Sequence, residues 1–211
     1  MGTEMWGGEL FVVSAPSGAG KTTLCRRVCR LTRGLVYSVS YTTRTPRVGE
    51  EHGKDYFFVS EEVFKQMAQA GEFLEWAELY NHMYGTSRAW VLDQLRQGHD
   101  VIMDVDVQGA LQIRQGELPC HLIFVLPPSR EVLRHRLARR GTDSKEQVEL
   151  RLEWAEKELG QWGMFDYLIL NDQLEEAVQE LRSVVVAQRC RKERRAQWIR
   201  SQWEIMKTGS R

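Results

Sequence analysis

The chain has 211 residues, enough for one domain of ordinary size with insertions and for a substantial buried core. Hydrophobic residues make up 42% and charged residues 27%, which excludes a disordered chain. Its 29 Lys and Arg balance 29 Asp and Glu, so bulk charge draws it neither to nucleic acid nor to an anionic membrane, and anion binding must come from local clusters.

In chain order, ELFVVSA (9–15) is the first of four short apolar runs; the others are HDVIMDVD (99–106), HLIFVLP (121–127) and DYLILN (166–171). Such runs suit strands of a parallel sheet covered on both faces. The first stops at Pro16, too short for a signal-peptide core or a spanning helix, so the expected setting is cytoplasmic with no membrane partner. Between the runs lie helical patterns. TTLCRRVCRLTRG puts Leu24, Val28 and Leu31 on one face, and SREVLRHRLARRG runs from a Ser129 cap to Gly141. The alternation predicts an α/β fold with a doubly wound parallel sheet. Residues 37–86 interrupt it with short β-like pieces around one helix-like segment, Glu61 to Ala70, and read as an inserted β-rich subdomain. A second, helical insertion restarts after Gly141 with a capping-box pattern from Ser144 to Gln147. Past Ala187 the chain is basic, with eight Lys or Arg against two Glu. A helix packed on the core with a solvated basic face is one reading of that tail; contact with nucleic acid or a membrane surface is the other.

The chemistry begins at SAPSGAGKTT. Ala15 to Thr22 reads A-x-x-x-x-G-K-T, departing from the strict phosphate-loop pattern only at Ala15. Gly18 and Gly20 permit backbone angles that turn successive N–H groups inward, and the helix that follows offers its N-terminus to the same anion. Ala15, Pro16, Ser17, Gly18, Ala19, Gly20, Lys21, Thr22 and Thr23 are therefore assigned to a nucleoside triphosphate, with Lys21 bridging phosphates and Thr22 on Mg²⁺. Asp104, ending the strand VIMD, is a second candidate for magnesium, directly or through water. Asp106 lies two residues on and points to the same side if the chain stays extended. In the insert, Arg44 and Arg47 with Tyr56 and Tyr84 can clamp a dianionic phosphate, because each guanidinium is a planar fork of donors.

Six segments in order and spacing, SAPSGAGK, SVSYTTRTPR, GKDYFFVS, GEFLEWAELYNHMYGTS, VIMDVDVQGA and RRGTDS, resemble guanylate kinase over about residues 9–185. The resemblance implies a P-loop core (1–36, 87–129 and 153–188), a GMP-binding insert (37–86) and a helical lid (130–152), which leaves the basic tail at 189–211. It implies transfer from ATP, with Mg²⁺, to GMP or dGMP. Ser40, Glu75 and Thr86 match the family's guanine-reading positions, Arg44, Arg47, Tyr56 and Tyr84 its monophosphate clamp, and Asp104 and Asp106 are placed with the GMP site. Lid arginines Arg136, Arg140 and Arg151 are assigned with Lys21 and Arg44 to the transferring charge, Arg139 competing with Arg140. Asn171 matches a position near the adenine. The alternatives are a non-catalytic guanylate-kinase-like protein-binding module, which the complete loop of Gly18, Gly20, Lys21 and Thr22 disfavours, and a kinase of the same fold acting on another phosphorylated acceptor.

What remains has plainer readings. Cys25, Cys29, Cys120 and Cys190 show no C-x-x-C spacing and read as reduced thiols, although Cys25 and Cys29 share a helix face and could give two metal ligands. The five histidines form no triad or metal spacing. Tyr41 beside Ser40 either points away from the ligand or narrows its entrance. Oligomeric state is not legible.

Overall fold

The structure is a computed structural model and describes residues 7–79, 81–138 and 145–202. Strand β1 (Leu10–Ser14) is buried along its whole length, with Phe11 and Val13 entering one apolar layer and Leu10 and Val12 the other. Helix α1 (Lys21–Leu31) lays Leu24, Cys25 and Val28 in the first layer. Strand β2 (Leu35–Tyr37) follows; its three residues carry too little periodicity to mark a strand in the sequence.

The insert then builds its own sheet from β3 (Tyr41–Thr42), β4 (Phe57–Phe58), β5 (Phe73–Leu79) and β6 (His82–Ser87), in the order β4-β3-β6-β5, with α2 (Glu61–Gln69) beside it. Phe64, Phe73 and Met83 form its core. Tyr41 stacks on Phe57 at 4.8 Å and meets Phe73 edge-on at 5.8 Å, so it packs within the insert.

The chain returns through α3 (Arg88–Arg96), β7 (Asp100–Val105), α4 (Val107–Gln115), β8 (Cys120–Leu126), α5 (Arg130–Ala138) and α6 (Lys145–Leu159). It finishes with a 3-10 turn (Trp162–Met164), β9 (Tyr167–Leu170), α7 (Leu174–Arg189) and α8 (Lys192–Gln202). The main sheet has the order β2-β7-β1-β8-β9, and all of its neighbouring pairs are parallel. Helices α1 and α7 cover one face, and α3 and α4 the other. Helices α5 and α6 pack on each other through Leu133, Leu137, Val148, Leu152 and Ala155. Ser129 caps α5 as expected, accepting from the Val132 N–H at 3.2 Å. The expected cap at Ser144 lies outside the described residues, and all four cysteines are free.

Register decides where a ligand can sit. Ser14 pairs with Val105, so the turn after β1 and the turn after β7 emerge side by side at the carboxyl ends of the strands. The other end of the sheet is closed by charge. Asp100, wholly buried, accepts from the Glu9 N–H at 2.9 Å, from Arg189 Nε at 2.6 Å and from Arg194 Nη2 at 2.6 Å. Arg194 belongs to α8, so this carboxylate ties the basic tail to the core. Glu9 extends the network to His121.

Replacing Asp100 with Asn removes the charge that two arginines share, while those arginines can still reach water. We expect urea unfolding to show a loss of about 2–4 kcal/mol. A change within experimental error would mean that α8 is held by other contacts.

Candidate active site

One cavity of about 400 Å³ joins the two turns, the insert and α6. Its floor is the segment between β1 and α1. Gly18 and Gly20 both take positive φ, 89° and 95°, which only glycine adopts without strain. A Cβ on Gly20 would lie 2.7 Å from Asn171 Nδ2, and one on Gly18 2.9 Å from a Leu137 methyl, so space as well as angle excludes a side chain. The Asn171 amide donates to the Ala19 carbonyl at 2.6 Å, and Lys21 Nζ to the Ala15 carbonyl at 2.6 Å. These bonds fix the loop from below, and the Ala19 N–H closes it on the Pro16 carbonyl at 3.0 Å. Among the described loop residues, Pro16, Ser17, Gly18, Gly20, Lys21, Thr22 and Thr23 line it; Ala15 and Ala19 are buried behind.

Beside the loop stands Asp104. It accepts from Thr22 Oγ1 at 2.6 Å and, through its other oxygen, from the Tyr37 hydroxyl. Burial foremost, then Asp104, pushes the Tyr37 phenol far up, so it stays a donor. Asp106 caps α4 by accepting from the Gly109 N–H at 2.7 Å, and burial raises its carboxyl. Thr22 and Asp104 thus offer adjacent oxygens at the loop, an all-oxygen set of the kind Mg²⁺ takes.

The insert supplies the far wall. Arg44 is nearly buried; its Nη2 donates to Glu50 Oε1 at 2.8 Å and its Nη1 to the Thr45 carbonyl at 2.8 Å. Glu50 also accepts the Arg47 backbone N–H at 2.7 Å. Against the upward push of burial, these donors hold the Glu50 carboxyl below the usual range. The Arg44 guanidinium lies 5.4 Å from the Tyr56 ring centre, and the Tyr56 and Tyr84 rings are 6.0 Å apart. The four residues expected to clamp a phosphate therefore share one wall of the cavity, with Glu50 tying the Arg44 guanidinium to the Arg47 backbone.

Glu75 on β5 pairs across the insert sheet with Thr86 on β6. Thr86 Oγ1 donates to Glu75 Oε1 at 2.6 Å, and a Cβ on Gly109 would lie 2.5 Å from the other carboxylate oxygen. Burial pushes the Glu75 carboxyl up to about 7, with the Asp106 charge adding to it against the Thr86 hydrogen bond. Ser40 opens on the same space, whereas Thr86 lies behind Glu75.

From α6, Arg151 reaches Ser17 Oγ at 2.5 Å, and Glu158 lines the cavity one face-repeat further along the helix, its carboxyl raised by burial. Arg136 is turned to the Asn171 carbonyl at 3.0 Å and does not line the cavity; nor does Asn171. Arg139 and Arg140 lie outside the described residues. Sequence reasoning missed Glu50, Tyr37, Arg26, Asp55 and Glu158. Only Glu158 carried a usable signal, standing seven residues after Arg151 and so on the same helix face.

A glycine-rich turn from a central parallel strand into a helix, with a β-rich insert across the cavity and α6 beside it, defines a P-loop kinase fold. Comparison with known proteins narrows the class. Residues 7–188 match the guanylate kinase family. The chain is 50% identical to the guanylate kinase of Geobacter sulfurreducens, over 87% of this chain and 91% of that one. It is 44% identical to the guanylate kinase of Caldanaerobacter subterraneus subsp. tengcongensis, over 89% and 91%. The crystal structure of guanylate kinase from Anaplasma phagocytophilum superposes with a TM-score of 0.76 at 30% identity, covering 94% of this chain and 96% of that one. The chain belongs to the guanylate kinase family and is a nucleoside monophosphate kinase. Among the described residues no helix is long and apolar enough to cross a membrane.

The Glu75 shift has a stability sign. Its folded pKa exceeds the unfolded value, so the stability present below the ordinary carboxylate range is lost as pH rises toward about 7. Glu75→Gln keeps an acceptor for Thr86 and removes that loss. It should stabilise the free protein by roughly 2–3 kcal/mol at pH 8 and by much less at pH 5. Equal effects at both pH values, in thermal or urea unfolding, would contradict the raised carboxyl.

Proposed function

We propose that the chain transfers the γ-phosphoryl group of ATP to GMP or dGMP, with Mg²⁺, giving ADP and GDP or dGDP, in a cytoplasmic nucleotide pool. The observation that carries this reading is Glu75, a buried carboxylate facing the same cavity as Lys21 and the glycine turn. Guanine presents N1–H and N2–H₂ as adjacent donors, which one carboxylate can accept together. Adenine has an acceptor at N1 and no N2 amine, so it would leave Glu75 desolvated and unpaired. Sites of this kind discriminate by roughly 10⁴–10⁵. Ser40 supplies a further hydroxyl to the base, and Thr86 holds Glu75 in position.

A GMP phosphate oxygen attacks the γ-phosphorus, the bond from phosphorus to the β,γ-bridging oxygen breaks, and ADP carries away the electron pair. The attacking oxygen is already an anion near neutral pH, so no general base is assigned. Catalysis then lies in positioning and in charge. Arg44, Arg47, Tyr56 and Tyr84 hold the acceptor phosphate. The backbone N–H groups of residues 17–23 hold the donor phosphates, and Lys21 exchanges the Ala15 carbonyl for phosphate oxygen. Thr22, with Asp104 beside it, would hold Mg²⁺, which neutralises donor charge when bound. Arg151 already opens on the loop, whereas Arg136 must leave Asn171 to join it; Arg140 belongs to the same proposed group. Asn171 acts on the donor site through the Ala19 carbonyl. Closure of 130–152 over both nucleotides would keep water from competing with GMP.

Glu75→Gln replaces one acceptor oxygen with a donor that faces guanine's own donors. Steady-state kinetics should show the KM for GMP rising roughly 100-fold or more while the KM for ATP stays within twofold. An unchanged GMP KM would mean that the base is recognised elsewhere.

A further inference from the structure

We propose that Arg26, on the helix that carries the phosphate loop, is a latch that positions the insert over the acceptor half of the cavity through Asp55 and the Lys54 carbonyl. The proposal deepens the reading of the cavity as a GMP site and rests on it. Arg26 projects from α1 five residues after Lys21 and lines the cavity. Its Nη1 donates to Asp55 Oδ1 at 2.7 Å and its Nη2 to the Lys54 carbonyl at 2.9 Å. One guanidinium therefore grips two successive residues of the insert from the core. Its Cζ lies 5.4 Å from the centre of the Tyr37 ring on β2, a cation–π contact that holds the side chain from the core side.

What Arg26 grips is ordered. Asp55 Oδ2 accepts the Glu51 N–H at 2.9 Å, and the Asp55 N–H returns to the Glu51 carbonyl at 3.0 Å, so residues 51–55 form a closed turn. The next residue is Tyr56, whose ring lies against Arg44. The far end of the insert is fixed separately: Gln112 of α4 exchanges two hydrogen bonds with the Trp76 backbone, at 3.2 and 3.0 Å. Arg26 thus governs the end of the insert that carries the phosphate clamp, and Gln112 the end beside Glu75. The Arg26 and Asp55 side chains are 30% and 19% exposed, shielded enough for the pair to hold its geometry yet wet enough to open. The Glu51 N–H first, then Arg26, holds the Asp55 carboxyl below its ordinary range, so the pair stays charged at neutral pH. With its charge answered by Asp55, Arg26 acts on the acceptor through Tyr56 and its neighbours and is a positioning residue.

The test is a double-mutant cycle on the full chain, Arg26→Gln, Asp55→Asn and both together, with Arg26→Lys as the conservative variant. GMP and ATP are varied independently, and thermal unfolding checks that each variant folds. Each single change should raise the KM for GMP about tenfold and leave the KM for ATP within about twofold. The double variant should be no worse than the worse single one, and Arg26→Lys should recover part of the loss because it keeps one bond to Asp55. Additive losses, equal losses for both nucleotides, or a GMP KM that does not move would overturn the latch while leaving the GMP reading intact. A wild-type protein that turns over with ATP but does not use GMP would overturn the GMP reading and the latch with it. If Arg26→Gln does not fold, Asp55→Asn, which leaves α1 untouched, decides the question.

Discussion

A polyphosphate can be held without a large cavity of lysines only if backbone N–H groups converge on it, and convergence requires angles and space that ordinary residues do not allow. In this chain the angles and the space are found between β1 and α1, where two glycines at positive φ close over the Asn171 amide and the Leu137 methyls. The rest of the cavity depends on that turn staying put. The parallel pairing of β1 with β7 brings Asp104 to Thr22, and the bonds from Asn171 and Lys21 tie the loop to β9 and to the end of β1.

Around the turn, charge is balanced rather than simply positive. Three guanidiniums at the cavity have an oxygen partner: Arg44 has Glu50, Arg26 has Asp55, and Arg151 has Ser17. Such partners keep long side chains ordered without a ligand, so less ordering is left for the ligand to drive. Glu75 is the exception in sign. Its burial disfavours the charge that guanine's donors would favour, so specificity at that position is set against stability.

The sequence carried those parts of this arrangement that are local. Four strands, the first helix, the Ser129 cap and the phosphate loop follow from apolar runs, periodicity and glycine spacing, and the structure places them there. Resemblance supplied Glu75, Ser40 and Thr86, which pattern alone would have left as an acid and two hydroxyls in the insert. The missed residues share one physical reason. Glu50, Asp55, Tyr37 and Arg26 are ordinary surface types whose meaning lies in the partner that folding brings to them, and a partner across 29 positions, as for Arg26 and Asp55, leaves no trace in spacing. The tail was ambiguous for the same reason. Its basic character allowed a nucleic-acid or membrane surface, and only the buried Asp100 shows that Arg194 faces the core.

The most direct test of a two-nucleotide site is ADP release from ATP and Mg²⁺ in the presence of GMP, AMP, UMP or no acceptor. Strong ADP formation with GMP, little with AMP or UMP and almost none without an acceptor is the predicted result, since it requires both the phosphate loop and the guanine pocket. Equal ADP formation with every acceptor or with none would contradict the account, and so would silence with all of them from a folded protein.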